Sequence, residues 1–264
     1  MRKISGKTVW ITGASSGIGE ALAYELDKKG CKLILSSRKK AELERVKSQC
    51  ENPGNIGIVP LDLEAFDELE KKTSQALSIF GTIDVLINNA GISQRSLILD
   101  TDFEVYKRLM NIDYLGTLAL SKALLPHFVS QNNGCFVTVS SLMGKFGSPY
   151  RSGYCGAKHA LHGFFDVLRM EHEKDGIQVT LICPGFIQTN VAKNALKGNG
   201  NPQNTEDTAT KNGLPVQLCA QKIIRAIERN KFEAYIGKKE IMGAYLKRFF
   251  PKLLHKVVLK SEVR

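Results

Sequence analysis

The 264-residue chain has one tryptophan, eight prolines and six cysteines. The glycines and prolines follow no period, which excludes a collagen-like fibre. The cysteines, at 31, 50, 135, 155, 183 and 219, form no C-x-x-C pair and no cluster with histidine. That pattern excludes a disulfide-dense scaffold and a zinc site local in sequence, and the thiols read as reduced and packed. The five histidines show no metal-ligand spacing, so no metal is expected. No stretch approaches the roughly 18 apolar residues of a membrane span. Residues 1–7 are basic without an apolar run, so no signal peptide is expected and the protein reads as cytoplasmic. Acidic residues are in deficit: 37 Lys and Arg face 26 Asp and Glu, a net charge of +11. The surplus favours anionic partners without choosing among phosphates, nucleic acid and lipid surfaces.

An apolar content of 43% supports one sizeable core, and the length fits one domain over residues 1–264. Strand patterns fall at Thr8–Ile11, Lys32–Ser36, Asn55–Pro60, Ile83–Asn88, Gly134–Ser140, Ile177–Cys183 and Phe232–Ile236. Helical patterns occupy Ile18–Lys29, Lys40–Gln49, Ala65–Phe80, Phe103–Ser130, Gly153–Lys174 and Val216–Glu228. Alternation of this kind predicts an α/β fold: about seven parallel strands covered by helices on both faces. Lys197–Gly213, within a loop over 190–214, is rich in Gly, Asn and Thr, and is expected to be a flexible substrate loop.

The first strand runs into Thr12-Gly13-Ala14-Ser15-Ser16-Gly17-Ile18-Gly19, and a helix follows. Glycines there permit a tight turn and close approach of backbone N–H groups to phosphate oxygens, and the helix N-terminus faces the anion. The strand–turn–helix context points to a dinucleotide. An NAD site places an acidic residue about 20 positions further on. Here the second strand ends at Ser36 and is followed by Ser37 and Arg38, with no carboxylate. A guanidinium can pair bidentately with a 2′-phosphate, so NADP(H) is the expected cofactor.

Tyr154 and Lys158 stand four apart at the start of a helical segment, hence on one face. An ammonium beside a phenol favours loss of the phenolic proton, which suits a proton donor to a carbonyl oxygen. With these residues in place, the sequence resembles the short-chain dehydrogenase/reductase family in its single-domain form, over nearly all of the chain up to about residue 190. The motifs come in that family's order: Thr12–Gly19, Asp62, Asn88-Asn89-Ala90-Gly91, Asn111, Ser141, Tyr154 with Lys158, then Pro184-Gly185. The resemblance implies a Rossmann-type doubly wound sheet and an NADP-dependent oxidoreductase acting on CH–OH groups.

It also implies roles. Tyr154 is the general acid/base, Lys158 tunes it and binds the nicotinamide ribose, and Ser141 holds the substrate oxygen, with Ser140 the weaker candidate. Asn111 holds a water that completes a proton relay. Gly13, Ser15, Ser16, Gly17, Ile18 and Gly19 cradle the pyrophosphate, and Ser37 and Arg38 meet the adenosine ribose. Asp62 and Leu63 lie at the adenine, and Asn89, Ala90 and Gly91 wall the cleft. Pro184, Gly185, Ile187 and Thr189 approach the nicotinamide, with Phe186 beside the substrate. Many NADP-preferring relatives carry a basic residue in the glycine turn. Here Ser15 and Ser16 stand there, which leaves the preference to Arg38. Phe103–Ser130 and Gly153–Lys174 are the expected faces of a homodimer or homotetramer.

Residues 238–264 form a basic tail of eight Lys or Arg and two Glu. Apolar pairs recur every fourth residue, from Ile241/Met242 to Val257/Val258, an amphipathic helical pattern divided at Pro251. Two readings stay open for this helical extension: packing on the protein or a partner subunit, and contact with an anionic membrane surface. A loose resemblance to the extended C-termini of relatives similar to 11-beta-hydroxysteroid dehydrogenases suggests a hydrophobic carbonyl substrate. Two further readings are weighed against turnover: a catalytically silent nucleotide sensor or scaffold on the same fold, and nucleic-acid binding, which lacks any recognised module.

Overall fold

The computed structural model describes residues 3–261. Glu262 and Arg264 of the basic tail lie outside them. Seven strands form one parallel sheet: β1 (Thr8–Thr12), β2 (Lys32–Ser36), β3 (Ile56–Ile58), β4 (Val85–Asn88), β5 (Gly134–Val139), β6 (Ile177–Pro184) and β7 (Glu233–Ile236). Their order is β3-β2-β1-β4-β5-β6-β7. β3 is shorter than expected, but backbone bonding continues past it. Val59 N–H donates to the Leu35 carbonyl and Leu61 N–H to the Ser37 carbonyl, passing over Pro60, which has no N–H.

Successive residues of a strand face opposite layers. Val9 and Ile11 join Leu22 and Leu26 of α1 (Gly17–Asp27), Val46 of α2 (Lys40–Ser48) and Ile223 of α8 (Val216–Glu228). Trp10, between them, joins the opposite layer. There it meets Leu69 of α3 (Leu69–Phe80), Phe128 of α5 (Thr117–Ser130) and Phe165 of α6 (Ser152–Glu171). The single tryptophan is fully buried and its indole N–H donates to Ser36 Oγ at 2.8 Å. All six cysteines are buried and free.

The expected helix over Phe103–Ser130 is divided. α4 (Phe103–Met110) leads into a π-helical turn, Asn111–Gly116, and α5 follows. The apolar pattern does not reveal this, because one extra residue in a turn leaves buried positions on either side. Close approach accompanies it: a Cβ on Gly116 would lie 2.7 Å from Leu63 Cβ. The 190–214 segment, expected to be loop, carries the short helix α7 (Thr208–Lys211) and bridges Ile187 to Leu214 and Gln94 to Leu196.

The tail forms α9 (Met242–Phe249) and α10 (Pro251–Lys260), with Pro251 at the first position of α10, where its missing N–H costs nothing. Ala244 and Leu254 are buried against Leu142, Phe146 and Cys183, so one face packs on the protein. Phe249, Phe250, Leu253, Val257 and Leu259 are exposed on the other. Among the described residues no helix is long and apolar enough to cross a membrane.

Candidate active site

The strand order reverses between β1 and β4, which opens a crevice at their carboxyl ends. Gly13 and Gly17 there have φ of +65° and +58°, the left-handed region that glycine tolerates. Gly13 also has no room for a side chain: its Cβ would fall 2.8 Å from Ala90 Cα. Asn89 Nδ2 donates to the carbonyls of Thr12 (2.9 Å) and Gly13 (3.2 Å), and Thr12 Oγ1 accepts the N–H groups of Asn89 and Ala90. The turn is thereby tied to the loop after β4. Ser16 precedes α1, Ser15 and Ile18 are half-buried, and Gly19 packs on the turn. A cavity of about 470 Å³ runs along α1 away from the turn, with Gly17 and Thr189 at one end and Glu20, Tyr24 and Glu206 in its lining. The tight glycines at the start of a helix fit a dinucleotide pyrophosphate.

At the end of β2, Ser37 is half-buried and Arg38 exposed. Asp62 is half-buried and accepts Glu64 N–H, while Leu63 is buried. Sequence reasoning missed Arg45. From α2 it donates to the Ser15 carbonyl at 3.3 Å and pairs with Glu20 and Glu42. A basic residue thus does reach the glycine turn, although two carboxylates already pair it. In sequence the Glu42/Arg45 pair looks like any surface ion pair.

Tyr154 and Lys158 rise from the first turns of α6. Lys158 is buried, and its Nζ lies 5.6 Å from the centre of the Tyr154 ring. That ammonium donates to the Val139 carbonyl at 3.2 Å. Ser141 Oγ points to the Pro184 carbonyl at 3.4 Å and accepts Met143 N–H. Ser140 turns the other way, onto His162 Nε2 and the Lys158 carbonyl. Asn111 is half-buried at the head of the π turn. The side chain of that turn which meets Lys158 is Asp113, fully buried, with Oδ2 at 3.4 Å from Nζ and Oδ1 accepting Ile92 N–H at 2.7 Å. Gly91 packs on this pair: a Cβ there would lie 3.2 Å from both side chains.

Across the crevice, Thr189 faces Gly17, and Ile187 is buried. Phe186 N–H donates to Glu240 Oε1 at 3.1 Å, and a Cβ on Gly185 would strike that glutamate. The glutamate of the basic tail thereby holds the loop after β6. Gln94, also missed, is fully buried. Its Oε1 accepts the N–H groups of Gly153 and Tyr154, which caps the helix carrying the Tyr–Lys pair. Next to it, Asp207 of the 190–214 segment receives Arg95 at 2.6 Å and Arg151 at 3.5 Å; Asp207 and Arg151 are buried and Arg95 is half-buried. Burial and the charge of Arg95 lower the Arg151 pKa to about 10.

Folding also gathers His162, Cys183 and Glu233, whose ligand atoms lie within 4.8 Å of one another. The Lys145 ammonium is seated on this group, 2.9 Å from Glu233 and 3.4 Å from His162 Nδ1. Burial, then Lys145, lowers the His162 pKa from 6.5 to about 4, against the opposing pull of Glu233 and Asp166. The folded state therefore favours the neutral ring. Its contribution is complete above about pH 6.5 and is lost as pH falls to about 4, on the order of 3 kcal/mol. Thermal midpoints across that window are expected to fall more steeply for the wild type than for His162→Gln; parallel slopes would contradict the assignment.

A doubly wound parallel sheet, with a glycine turn at its order reversal and a Tyr–Lys pair at the same edge, defines a Rossmann-type oxidoreductase fold. The family model described as short chain dehydrogenase matches residues 7–200. A human protein described as Dehydrogenase/reductase SDR family member 7 is 40% identical over 256 residues, 94% of this chain and 76% of that protein. An Anopheles gambiae protein described as Dehydrogenase/reductase SDR family protein 7-like is 41% identical over 98% of this chain and 84% of its own length. Among solved structures, a Burkholderia phymatum short-chain dehydrogenase/reductase in complex with NAD matches with a TM-score of 0.85 at 22% identity, covering 96% of each chain. The chain belongs to the short-chain dehydrogenase/reductase family.

Proposed function

We propose that the protein is an NADP(H)-dependent reductase or dehydrogenase of a hydrophobic carbonyl/secondary alcohol pair, with Tyr154 as general acid/base. The observation that carries this reading is the Lys158 ammonium, buried beneath the Tyr154 ring at the edge of the crevice. When bound, the nicotinamide supplies or accepts the hydride. Tyr154 then gives its proton to the carbonyl oxygen, or takes it back in reverse, and Ser141 orients that oxygen. Lys158 favours the proton's departure by its charge, and Asn111 stays the proposed holder of a relay water. The names of the human and mosquito relatives support a redox reaction. The exposed Arg38, with no carboxylate beside it at the end of β2, supports NADP(H).

Two parts of the reading concern partners. Val129 of α5 and Val167 and Met170 of α6 are exposed on helices proposed as the oligomer face. Exposed Phe249, Phe250 and Leu253, with Lys252 and Lys256 between and beyond them, support a peripheral contact with an anionic membrane surface, reached from a proposed cytoplasmic location.

The test is absorbance loss of NADPH and, in parallel, NADH against a panel of ketones, quinones, steroids and sugars. NADPH consumption with a lipophilic ketone is expected; consumption with no member of the panel overturns the redox reading. In the same assay Arg38→Asp is expected to move the NADPH/NADH preference by roughly 10- to 100-fold, the range for a hydrogen bond to a charged group. An unchanged ratio would put the 2′-phosphate elsewhere.

A further inference from the structure

We propose that Asp113 is a positioning residue: a buried counter-ion that keeps Lys158 an ammonium and holds it beneath Tyr154. The proposal rests on the reading of Tyr154 and Lys158 as the proton-transfer pair. Three observations carry it. Asp113 has no solvent exposure and Lys158 very little, so each charge is largely without hydration. Asp113 Oδ1 is anchored by the Ile92 N–H, while Oδ2 accepts no hydrogen bond among the described residues and has Lys158 Nζ at 3.4 Å. The π turn that begins at Asn111 brings this side chain inward, and Gly91 leaves it room.

Burial alone favours the neutral amine, because a desolvated lysine readily gives up its proton. The groups whose charge acts on Lys158 are Asp113, from the π turn, and Tyr154, from its own helix. The Val139 carbonyl from β5 and the Gly91 backbone bring no charge. Burial is the largest single influence and works against the ammonium, but the charge and contact of Asp113, together with Tyr154, hold the Lys158 pKa above its ordinary value. A neutral side chain at 113 leaves the burial penalty in place and removes the compensation.

Asp113→Asn is the direct test, since an amide oxygen can still accept the Ile92 N–H and only the charge is lost. Asp113→Ala loses both. The readout is the Cε resonance of Lys158 in ¹³C-lysine-labelled protein without dinucleotide, assigned by its disappearance in Lys158→Arg. In both variants Lys158 is expected to lose its proton at a pH lower than in the wild type by on the order of one unit or more. The alkaline limb of the turnover profile should move the same way. A purely structural role predicts that Asn titrates with the wild type and that only Ala is altered, and this outcome overturns the proposal. Because the titration needs neither substrate nor cofactor, it can be read even if the panel above shows no turnover. Turnover with an unmoved titration would sink this inference alone.

Discussion

Tyr154→Phe is expected to lower turnover by about 10²- to 10⁴-fold, the range for removing a general acid, while NADPH affinity stays near that of the wild type. Only the phenolic hydroxyl is deleted. The ring keeps its place among Ile92, Val105, Leu109 and Leu196, where phenylalanine packs equally well. Lys158 still lies beneath it, tied to Val139 and Asp113. The glycine turn is held by Thr12, Asn89 and Ala90, none of which touches the hydroxyl. Steady-state kinetics and calorimetric titration with NADPH separate the two quantities. Turnover within tenfold of the wild type would hand the proton to another group, with Ser141 the first to examine.

The second large effect is on stability. Asp207 is the carboxylate between two guanidiniums largely out of water, Arg95 after β4 and Arg151 before α6. Asp207→Asn leaves both cations without that charge. Breaking a buried pair from one side costs about 3–5 kcal/mol, because the remaining charge keeps its burial penalty and loses the opposite charge. Urea unfolding should show a loss of that order, and adding Arg95→Gln should recover part of it by removing one of two neighbouring positive charges. A loss below about 1 kcal/mol would mean that water or another group readily takes the place of the carboxylate. Since Asp207 lies on the 190–214 segment, the same variant should loosen the wall beside Tyr154.

These effects differ in how far they could be read in advance. Tyr154 and Lys158 are four residues apart, so helical geometry alone places them together. The glycine turn is equally local: Gly13, Gly17 and Gly19 lie between one strand and one helix. The seven strands were visible because a parallel sheet buried on both faces demands long apolar runs. Asp207 and Arg95 are separated by 112 positions, and nothing in either neighbourhood marks the partner. His162, Cys183 and Glu233 meet for the same reason, through α6, β6 and β7, and Lys145 joins them from the turn after β5. The π turn escaped notice because an apolar face continues through it. It turns Asp113 toward Lys158, whereas the order of motifs in the sequence points to Asn111.

Short-range periodicity and turn chemistry were therefore sufficient for the strands, most helices, the phosphate-type turn and the Tyr–Lys pair, because each depends on contacts within a few residues. The charges buried around that pair, the cap supplied by Gln94 and the packing of the tail on Phe146 were decided only by the folded chain. A buried charge is tolerable only where a compensating group arrives from a distant segment, and that arrival is a property of the tertiary structure.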